Sequence, residues 1–254
     1  MPAEAQSAIL LPMSAEDFER RRRRVRWLLV GAAVVVIVVA ASVYRRSTAP
    51  LRAREQYDAG QRLFKVARYP QAILAMDAAI SDQADFADAY LLRARAWRGL
   101  SDQERAIADY TEVIRLRPNE APPYVERGLA YLEFKDFAAA RADSAKALQI
   151  DPKLALAYNL RGTVERVSNN LPKAIEDFAR AVELSPDLDN YYQRGATYQL
   201  MGEHKKAIAD FDNAIEFSPF SAQAYFARAE SRRALGDLEG AKKDHLQGRI
   251  LDGR

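Results

Sequence analysis

Residues 191–219 read YYQRGATYQLMGEHKKAIADFDNAIEFSP, and residues 124–152 read YVERGLAYLEFKDFAAARADSAKALQIDP. Both stretches carry Tyr, Arg and Gly at places 1, 4 and 5, Tyr at place 8, Ala at place 17, Asp at place 20 and Pro at place 29. The block recurs about every 34 residues through most of the chain. A fixed period of this length indicates a solenoid, whose stacked helical pairs form an extended concave surface.

The block aligns six consecutive repeats, each with two helical stretches of some 13 residues. The repeats span residues 53–86, 87–120, 121–154, 155–187, 188–221 and 222–254. The fourth repeat is one residue shorter than the others, and we expect the connection near Pro186 to absorb the difference.

Small side chains recur at positions 8 and 20 of the repeat, where they let the two helices of a pair approach closely. Position 8 holds Gly60, Ala94, Gly128, Gly162, Gly195 and Ala229, and position 20 holds Ala72, Ala106, Ala140, Ala174, Ala207 and Ala241. Prolines mark the predicted helix ends. Pro70 and Pro172 fall in the first turn of a second helix, and Pro118, Pro152, Pro186 and Pro219 fall just after one.

These positions resemble those of the tetratricopeptide repeat, and the resemblance covers about 200 of the 254 residues. It implies an all-α, right-handed solenoid of about six helix–turn–helix repeats over residues 53–254. The first repeat has Gln56 and Ala84 in place of Tyr and Pro, so we expect it to be a cap. The last repeat has Arg232 and His245 in place of aromatic residues, so we expect a polar outer face that ends the stack.

An Arg at position 7 and an Asp at position 23 occur together in every repeat after the first, which has Ala59 and Ala75 there. The pairs are Arg93 with Asp109, Arg127 with Asp143, Arg161 with Asp177, Arg194 with Asp210, and Arg228 with Asp244. A bidentate guanidinium–carboxylate contact between facing helices explains why both residues change together. We interpret the pairs as structural ion pairs; the alternative is a ladder of charges that binds an extended ligand.

Residues 27–44 read WLLVGAAVVVIVVAASVY, a stretch of 18 residues without a charge. As a helix it measures about 27 Å, close to the roughly 30 Å thickness of a hydrocarbon core. Arginines flank it, with residues 20–24 and Arg26 before it and Arg45, Arg46, Arg52 and Arg54 after it. The denser cluster on the N-terminal side predicts a cytoplasmic N-terminus and a solenoid on the far side, which is the periplasm in a Gram-negative bacterium.

The predicted organisation is therefore a basic tail (1–26), a transmembrane helix (27–44), a short linker (45–52) and the repeat domain (53–254). Ser14 and Asp17 resemble a capping box, so the first helix is expected to begin near Ala15. A cleaved signal peptide is the alternative. It is disfavoured because the segment before the apolar run is long and acidic as well as basic, and because the run ends directly at Arg45.

Composition argues against catalysis, cofactors and nucleic acid. The chain has no Cys and two His, His204 and His245, and it lacks a Gly-rich phosphate loop, a nucleophile elbow and a metal-ligand spacing. The net charge of +3 comes from the flanks of the apolar run, and residues 47–254 carry about −1. A nucleic-acid-binding domain needs a basic face of its own.

The resemblance implies that positions 2, 5, 9, 12 and 13 of each first helix face the concave groove. The candidate partner-binding residues there are Leu91, Arg95, Arg98, Val125, Leu129, Leu132, Asn159, Arg166, Tyr192 and Phe226. Val125, Leu129 and Leu132 are predicted either to form an apolar binding patch or to pack on neighbouring helices. Chaperone-binding members hold a C-terminal carboxylate with Lys at position 5, and no first helix has Lys there.

The sequence thus predicts a membrane-anchored scaffold that docks a protein or peptide in the groove, and it does not set the oligomeric state. The alternative is a permanent structural subunit of a membrane complex, held through its anchor helix or convex face. Gly31, Ala32, Ala33, Ala40, Ala41 and Ser42 make the anchor rich in small residues, which permits close helix packing.

Overall fold

The computed structural model describes residues 15–253, and these residues form twelve α-helices and no strand. The helices are α1 (Ala15–Lys65), α2 (Tyr69–Asp82), α3 (Ala87–Gly99), α4 (Gln103–Leu116), α5 (Ala121–Glu133), α6 (Phe137–Ile150), α7 (Ala155–Val167), α8 (Leu171–Leu184), α9 (Leu188–Leu200), α10 (His204–Phe217), α11 (Ala222–Ala234) and α12 (Leu238–Leu251).

The helices pack as consecutive antiparallel pairs, which confirms the solenoid of six helix–turn–helix repeats. The C-terminal part of α1 pairs with α2, and the second helices α2, α4, α6, α8 and α10 also pack on the first helix of the next repeat. First helices of successive repeats contact one another at α1–α3, α5–α7, α7–α9 and α9–α11. Within residues 15–253 the successive second helices have no comparable contact, so the stack curves with its first helices on the concave side.

Each pair turns through one residue in the left-handed region at position 15 of its repeat. These residues are Ala67, Ser101, Lys135, Asn169, Gly202 and Gly236, with φ between +55° and +83°. The connection between repeats spans four residues after α4 (117–120) but three after α8 (185–187), as expected for the shorter fourth repeat. Pro70 and Pro172 lie in the first turns of α2 and α8, as predicted.

The small residues at positions 8 and 20 are buried where the two helices of a pair cross. A Cβ added at Gly195 would lie 3.0 Å from Cβ of Asp210 and 3.0 Å from Cε1 of Phe211. Phe211, together with Tyr110 and Phe178 in earlier repeats, is fully buried. The repeat therefore alternates small and large residues across one helix–helix contact.

The expected linker at residues 45–52 is helical instead, since α1 continues without a break through Pro50 to Lys65. Side-chain donors supplement the backbone hydrogen bonds in the turn before Pro50. Ser47 Oγ donates to the carbonyl of Tyr44 over 2.9 Å, and Thr48 Oγ1 donates to the same oxygen over 3.0 Å. Arg52 then joins Thr48 Oγ1 to both carboxylate oxygens of Asp82 in α2, so the segment is fixed to the solenoid.

The described part of α1 starts at Ala15. Ser14 and the side chain of Asp17, on which the expected capping box depends, lie outside the described residues. Its apolar segment is exposed along its whole length, with Trp27 and Tyr44 74% and 70% exposed at the two ends. By length and composition, α1 is the one helix within residues 15–253 that could cross a membrane.

The outer face of the last repeat is more apolar than the sequence predicted. Arg232 donates to Asp244, so it belongs to the ion-pair network of the repeat. Leu238, Leu246 and Ile250 of α12, however, are about 60% exposed. The prediction of a polar final face was wrong. It rested on Arg232 and His245, which replace aromatic residues, and did not consider the other positions of α12.

The candidate protein-binding groove

The five recurring Arg–Asp pairs lie between the two helices of each repeat. In each pair the arginine Nε and Nη2 donate to the two carboxylate oxygens over 2.6–2.9 Å. The aspartates Asp109, Asp143, Asp177, Asp210 and Asp244 are all buried. Hydrogen bonding to these carboxylates raises the pKa of the partner arginines, which stay ionised. The aspartates are therefore out of reach of a ligand in the groove.

Each of these arginines also lies over the ring of the Tyr three residues before it. The distances from Cζ to the ring centroid are 5.3–5.9 Å at Tyr90, Tyr124, Tyr158, Tyr191 and Tyr225. Such cation–π contacts add a further interaction at the same helix crossing. The recurring Tyr, Arg and Asp of the block thus meet in one cluster in each of the five repeats after the first.

The candidate arginines of repeat 2 form ion pairs with glutamates of α5, the first helix of the next repeat. Arg95 Nη2 lies 2.6 Å from Glu126 Oε1, and Arg98 lies 3.2 Å from Glu126 and 2.9 Å from Glu133. Tyr110 donates its hydroxyl hydrogen to Glu126 over 3.1 Å. Burial, together with the adjacent carboxylate of Glu126, raises the pKa of Tyr110, so the hydroxyl remains a donor. These charges are balanced within the solenoid.

The apolar candidates of this region belong to the core. Val125 is 3% exposed, so it is a core residue and not a groove residue, which corrects the prediction. Val125 belongs to a hydrophobic cluster that includes Leu160 of α7, and Leu129 and Leu132 are half-buried against this cluster. Leu91 is likewise half-buried, against a cluster around Tyr110. Packing on neighbouring helices is thus the alternative that the structure favours for this patch.

Repeat 4 places Asn159 and Arg166 on α7, facing α9. The side-chain amide of Asn159 donates to Asp189 over 3.2 Å and to Asn190 over 2.8 Å. Arg166 lies with its Cζ 5.7 Å from the ring centroid of Phe178. Within residues 15–253 its guanidinium donates no hydrogen bond and forms no ion pair. Burial lowers the pKa of Arg166, although Tyr192 and Asp189 act in the opposite direction.

Tyr192 and Phe226 line a concave pocket of about 370 Å³ between α9 and α11. Gln199 and Glu230 contribute polar side chains to its wall. Tyr192 accepts a hydrogen bond from Gln223 over 2.9 Å. The predicted groove positions therefore do meet in one open concavity at this end of the solenoid.

Asp252, which follows α12, also lines this pocket. The repeat alignment missed it because it lies beyond the last helix, where no period applies. His245 packs edge-on against Phe226 with ring centroids 5.2 Å apart, and His204 is the first residue of α10. Among the described residues, no group of three or more His, Asp or Glu side chains could hold a metal ion.

Comparisons with known proteins agree with this architecture. One tetratricopeptide-repeat model matches residues 57–121 and 125–189, and a second matches residues 189–221. The chain is similar to MamA with 25% identity and a TM-score of 0.56, over 63% of this chain and 94% of that one. It is also similar to PilW, described as a type IV pilus biogenesis factor, with 18% identity and a TM-score of 0.71 over 78% and 92% of the two chains.

A third similar structure is YrrB, described as a TPR protein with an unusual peptide-binding site. It is 23% identical, with a TM-score of 0.53 over 70% of this chain and 92% of that one. The likenesses to PilW and YrrB show the fold alone, and no curated protein matches the chain. Because the repeat models match more than half of its residues, the chain belongs to the tetratricopeptide repeat family, whose members are generally non-enzymatic scaffolds for protein interactions.

Proposed function

We propose that this protein is a non-enzymatic, membrane-anchored scaffold that docks a partner protein or peptide in its concave groove. The observation that carries the proposal is the open pocket between α9 and α11, where Tyr192 and Phe226 are half-buried beside Gln199 and Glu230. A concave surface that combines aromatic faces with a few polar groups is typical of binding sites.

The exposed apolar segment of α1 supports the anchored form. No other element of the described chain covers residues 27–44, and water is an unfavourable environment for so long an apolar surface. The arginine bias favours an N-terminus in the cytoplasm and a solenoid on the far side, the periplasm in a Gram-negative host. The near-neutral solenoid favours a protein partner over nucleic acid.

A permanent structural subunit is the second candidate. The exposed Leu238, Leu246 and Ile250 of α12 favour it, because an apolar terminal face can join a neighbouring subunit. Such a contact would be independent of the groove.

A pull-down of the full-length protein from solubilised membranes separates the two roles. Ala227→Arg fills the pocket without removing a packed side chain, and Ala209→Arg on exposed α10 is the matched control. Groove docking predicts that the same defined partner is recovered with wild type and Ala209→Arg, is lost with Ala227→Arg, and is released by salt. Stoichiometric, salt-resistant recovery with both variants supports the structural subunit instead.

Protease protection in sealed membranes tests the topology. The solenoid should resist protease added from the cytoplasmic side and become sensitive when the membrane is opened. Digestion from the cytoplasmic side of an intact membrane contradicts the proposed orientation.

A further inference from the structure

Arg98 and Arg166 occupy the same place, position 12, in repeats 2 and 4. Arg98 is neutralised by the first helix of the next repeat, with Nη1 3.2 Å from Glu126 and Nη2 2.9 Å from Glu133. Tyr110 of its own repeat completes the network through its bond to Glu126. In repeat 2 the charge of the arginine at position 12 is therefore balanced by two carboxylates of the next first helix, together with a tyrosine hydroxyl of its own repeat.

Every partner in that network is replaced by a neutral residue around Arg166. The register places Gln193 at the position of Glu126, Leu200 at that of Glu133 and Phe178 at that of Tyr110. Both carboxylates and the hydroxyl are thus absent, while the arginine is kept. Asp189 is the nearby acid, but it lies beyond ion-pair distance of Arg166 and accepts hydrogen bonds from Asn159 and Gln193.

The surroundings of Arg166 hold two further features that a ligand could complete. Oε1 of Gln193 is buried and has no hydrogen-bond partner within residues 15–253, so its hydrogen bonding is completed only by a donor that displaces the side chains covering it. Val167 and Leu200, at position 13 of repeats 4 and 5, are 49% and 65% exposed. A half-buried guanidinium without a partner has lost hydration without gaining hydrogen bonds, so a carboxylate stabilises it more than water does.

We propose that Arg166 docks an acidic side chain from an extended segment of the partner protein, and that an adjacent large apolar residue of the same segment packs on Val167 and Leu200. This inference rests on the proposed groove function and names the chemistry that the groove recognises. The occupant is an internal segment, because the pocket lined by Tyr192 and Phe226 extends the concave surface beyond α7 and leaves room for the chain to continue.

The test uses pools of short synthetic peptides and the full-length protein immobilised in detergent micelles. The first pool is blocked at both ends, with Glu-Leu fixed at the centre and randomised flanks. Matched pools carry Gln-Leu, Lys-Leu, or Gln-Leu with a free C-terminal carboxylate. Peptide retained by the protein is quantified by mass spectrometry. Wild type should retain the Glu-Leu pool about tenfold more than the Gln-Leu pool, the difference expected of one charge-assisted contact.

Three variants assign the preference to Arg166. Arg166→Gln should abolish this preference with little change in thermal stability, because the guanidinium has no polar partner to lose within residues 15–253 and gives up only its contact with the Phe178 ring. Gln193→Glu combined with Leu200→Glu keeps the arginine but supplies the missing carboxylates, and should abolish it as well. Arg166→Glu should shift the preference to the Lys-Leu pool. Arg180→Gln, at an exposed position on α8, is the control and should bind as wild type does.

Equal retention of the Glu-Leu and Gln-Leu pools by wild type overturns the proposal, as does a preference that survives in Arg166→Gln. If a free C-terminal carboxylate raises the retention of the Gln-Leu pool as much as Glu does, the proposal that Arg166 binds an internal side chain is overturned. If the pools fail to discriminate but Ala227→Arg still loses the native partner, the Arg166 inference fails and the groove function stands. If Ala227→Arg also has no effect, both fail.

Discussion

Arg228 of α11 donates through Nε and Nη2 to Asp244 in its own repeat, and its Nη1 donates over 2.6 Å to Asp212 in the preceding repeat. One guanidinium thereby joins three helices. Arg161 makes the contact within its repeat but not the second one, because Ala145 occupies the position that corresponds to Asp212. The same ion pair therefore fixes the two helices within each repeat after the first, while the arginine's contact to the preceding repeat varies along the stack.

Removal of an arginine from this cluster should destabilise the solenoid. We expect Arg161→Ala to lower the free energy of unfolding by about 2–4 kcal/mol, because it leaves the buried carboxylate of Asp177 without its partner. Asp212→Ala removes only the exposed contact between repeats and should cost less than about 1 kcal/mol. Chemical denaturation followed by circular dichroism measures both. If the two variants lose equal free energy of unfolding, burial of the Asp177 carboxylate does not determine how much the loss of its partner destabilises the solenoid.

A glycine at the left-handed turn residue should stabilise the first repeat. Ala67 has φ +55°, a conformation that costs an L-residue roughly 1–2 kcal/mol. Ala67→Gly removes this strain and should raise stability by about 0.5–1 kcal/mol after the greater flexibility of glycine in the unfolded chain is subtracted. Ala209→Gly, in the exposed interior of α10, is the control and should lower stability by about 1 kcal/mol. A loss of stability in Ala67→Gly contradicts the strain argument.

Acid should weaken the contact between repeats 3 and 4. Burial raises the pKa of Glu165, but hydrogen bonds from Arg141 and Asn170 outweigh it and hold the pKa below the usual 4.5. A lowered folded-state pKa contributes stability above the unfolded value, and this contribution is lost as the pH falls through the folded value. Stability of the wild type should therefore fall below about pH 4.5 more steeply than that of Glu165→Gln. Parallel pH profiles for the two proteins would contradict the assignment.

The balanced arginines of repeat 2 should become binding groups once their partners are removed. Glu126→Gln combined with Glu133→Leu gives Arg98 the same side chains on the next first helix that Arg166 has, with Tyr110 left in place, and it also releases Arg95. We expect this variant to retain more of the Glu-Leu peptide pool than wild type does, and to keep an acid preference when Arg166→Gln is added. A variant that folds but shows neither effect contradicts the idea that missing carboxylates create the site.

The repeat period was enough to predict α2 to α12 and the partners of the Arg–Asp pairs, because one hydrophobic pattern sets both helix contacts. It could not separate groove from core at Val125, since position 5 of a first helix lies between the concavity and the neighbouring helix. The helical course through Pro50 depends on Thr48 and Arg52, whose contacts have no periodic signal. The unbalanced state of Arg166 is visible only after the structure shows which residues of α9 it faces.

The continuous α1 gives the residue count between the apolar segment and the solenoid a geometric meaning. In a helix each residue added or removed between Tyr44 and Ala53 turns everything beyond it by about 100° and moves it by about 1.5 Å along the axis. The direction in which the concave face points around the axis of α1 is therefore set by the number of residues between the apolar segment and the first repeat. A single-residue insertion would point the groove at a different neighbour while leaving every contact within it intact.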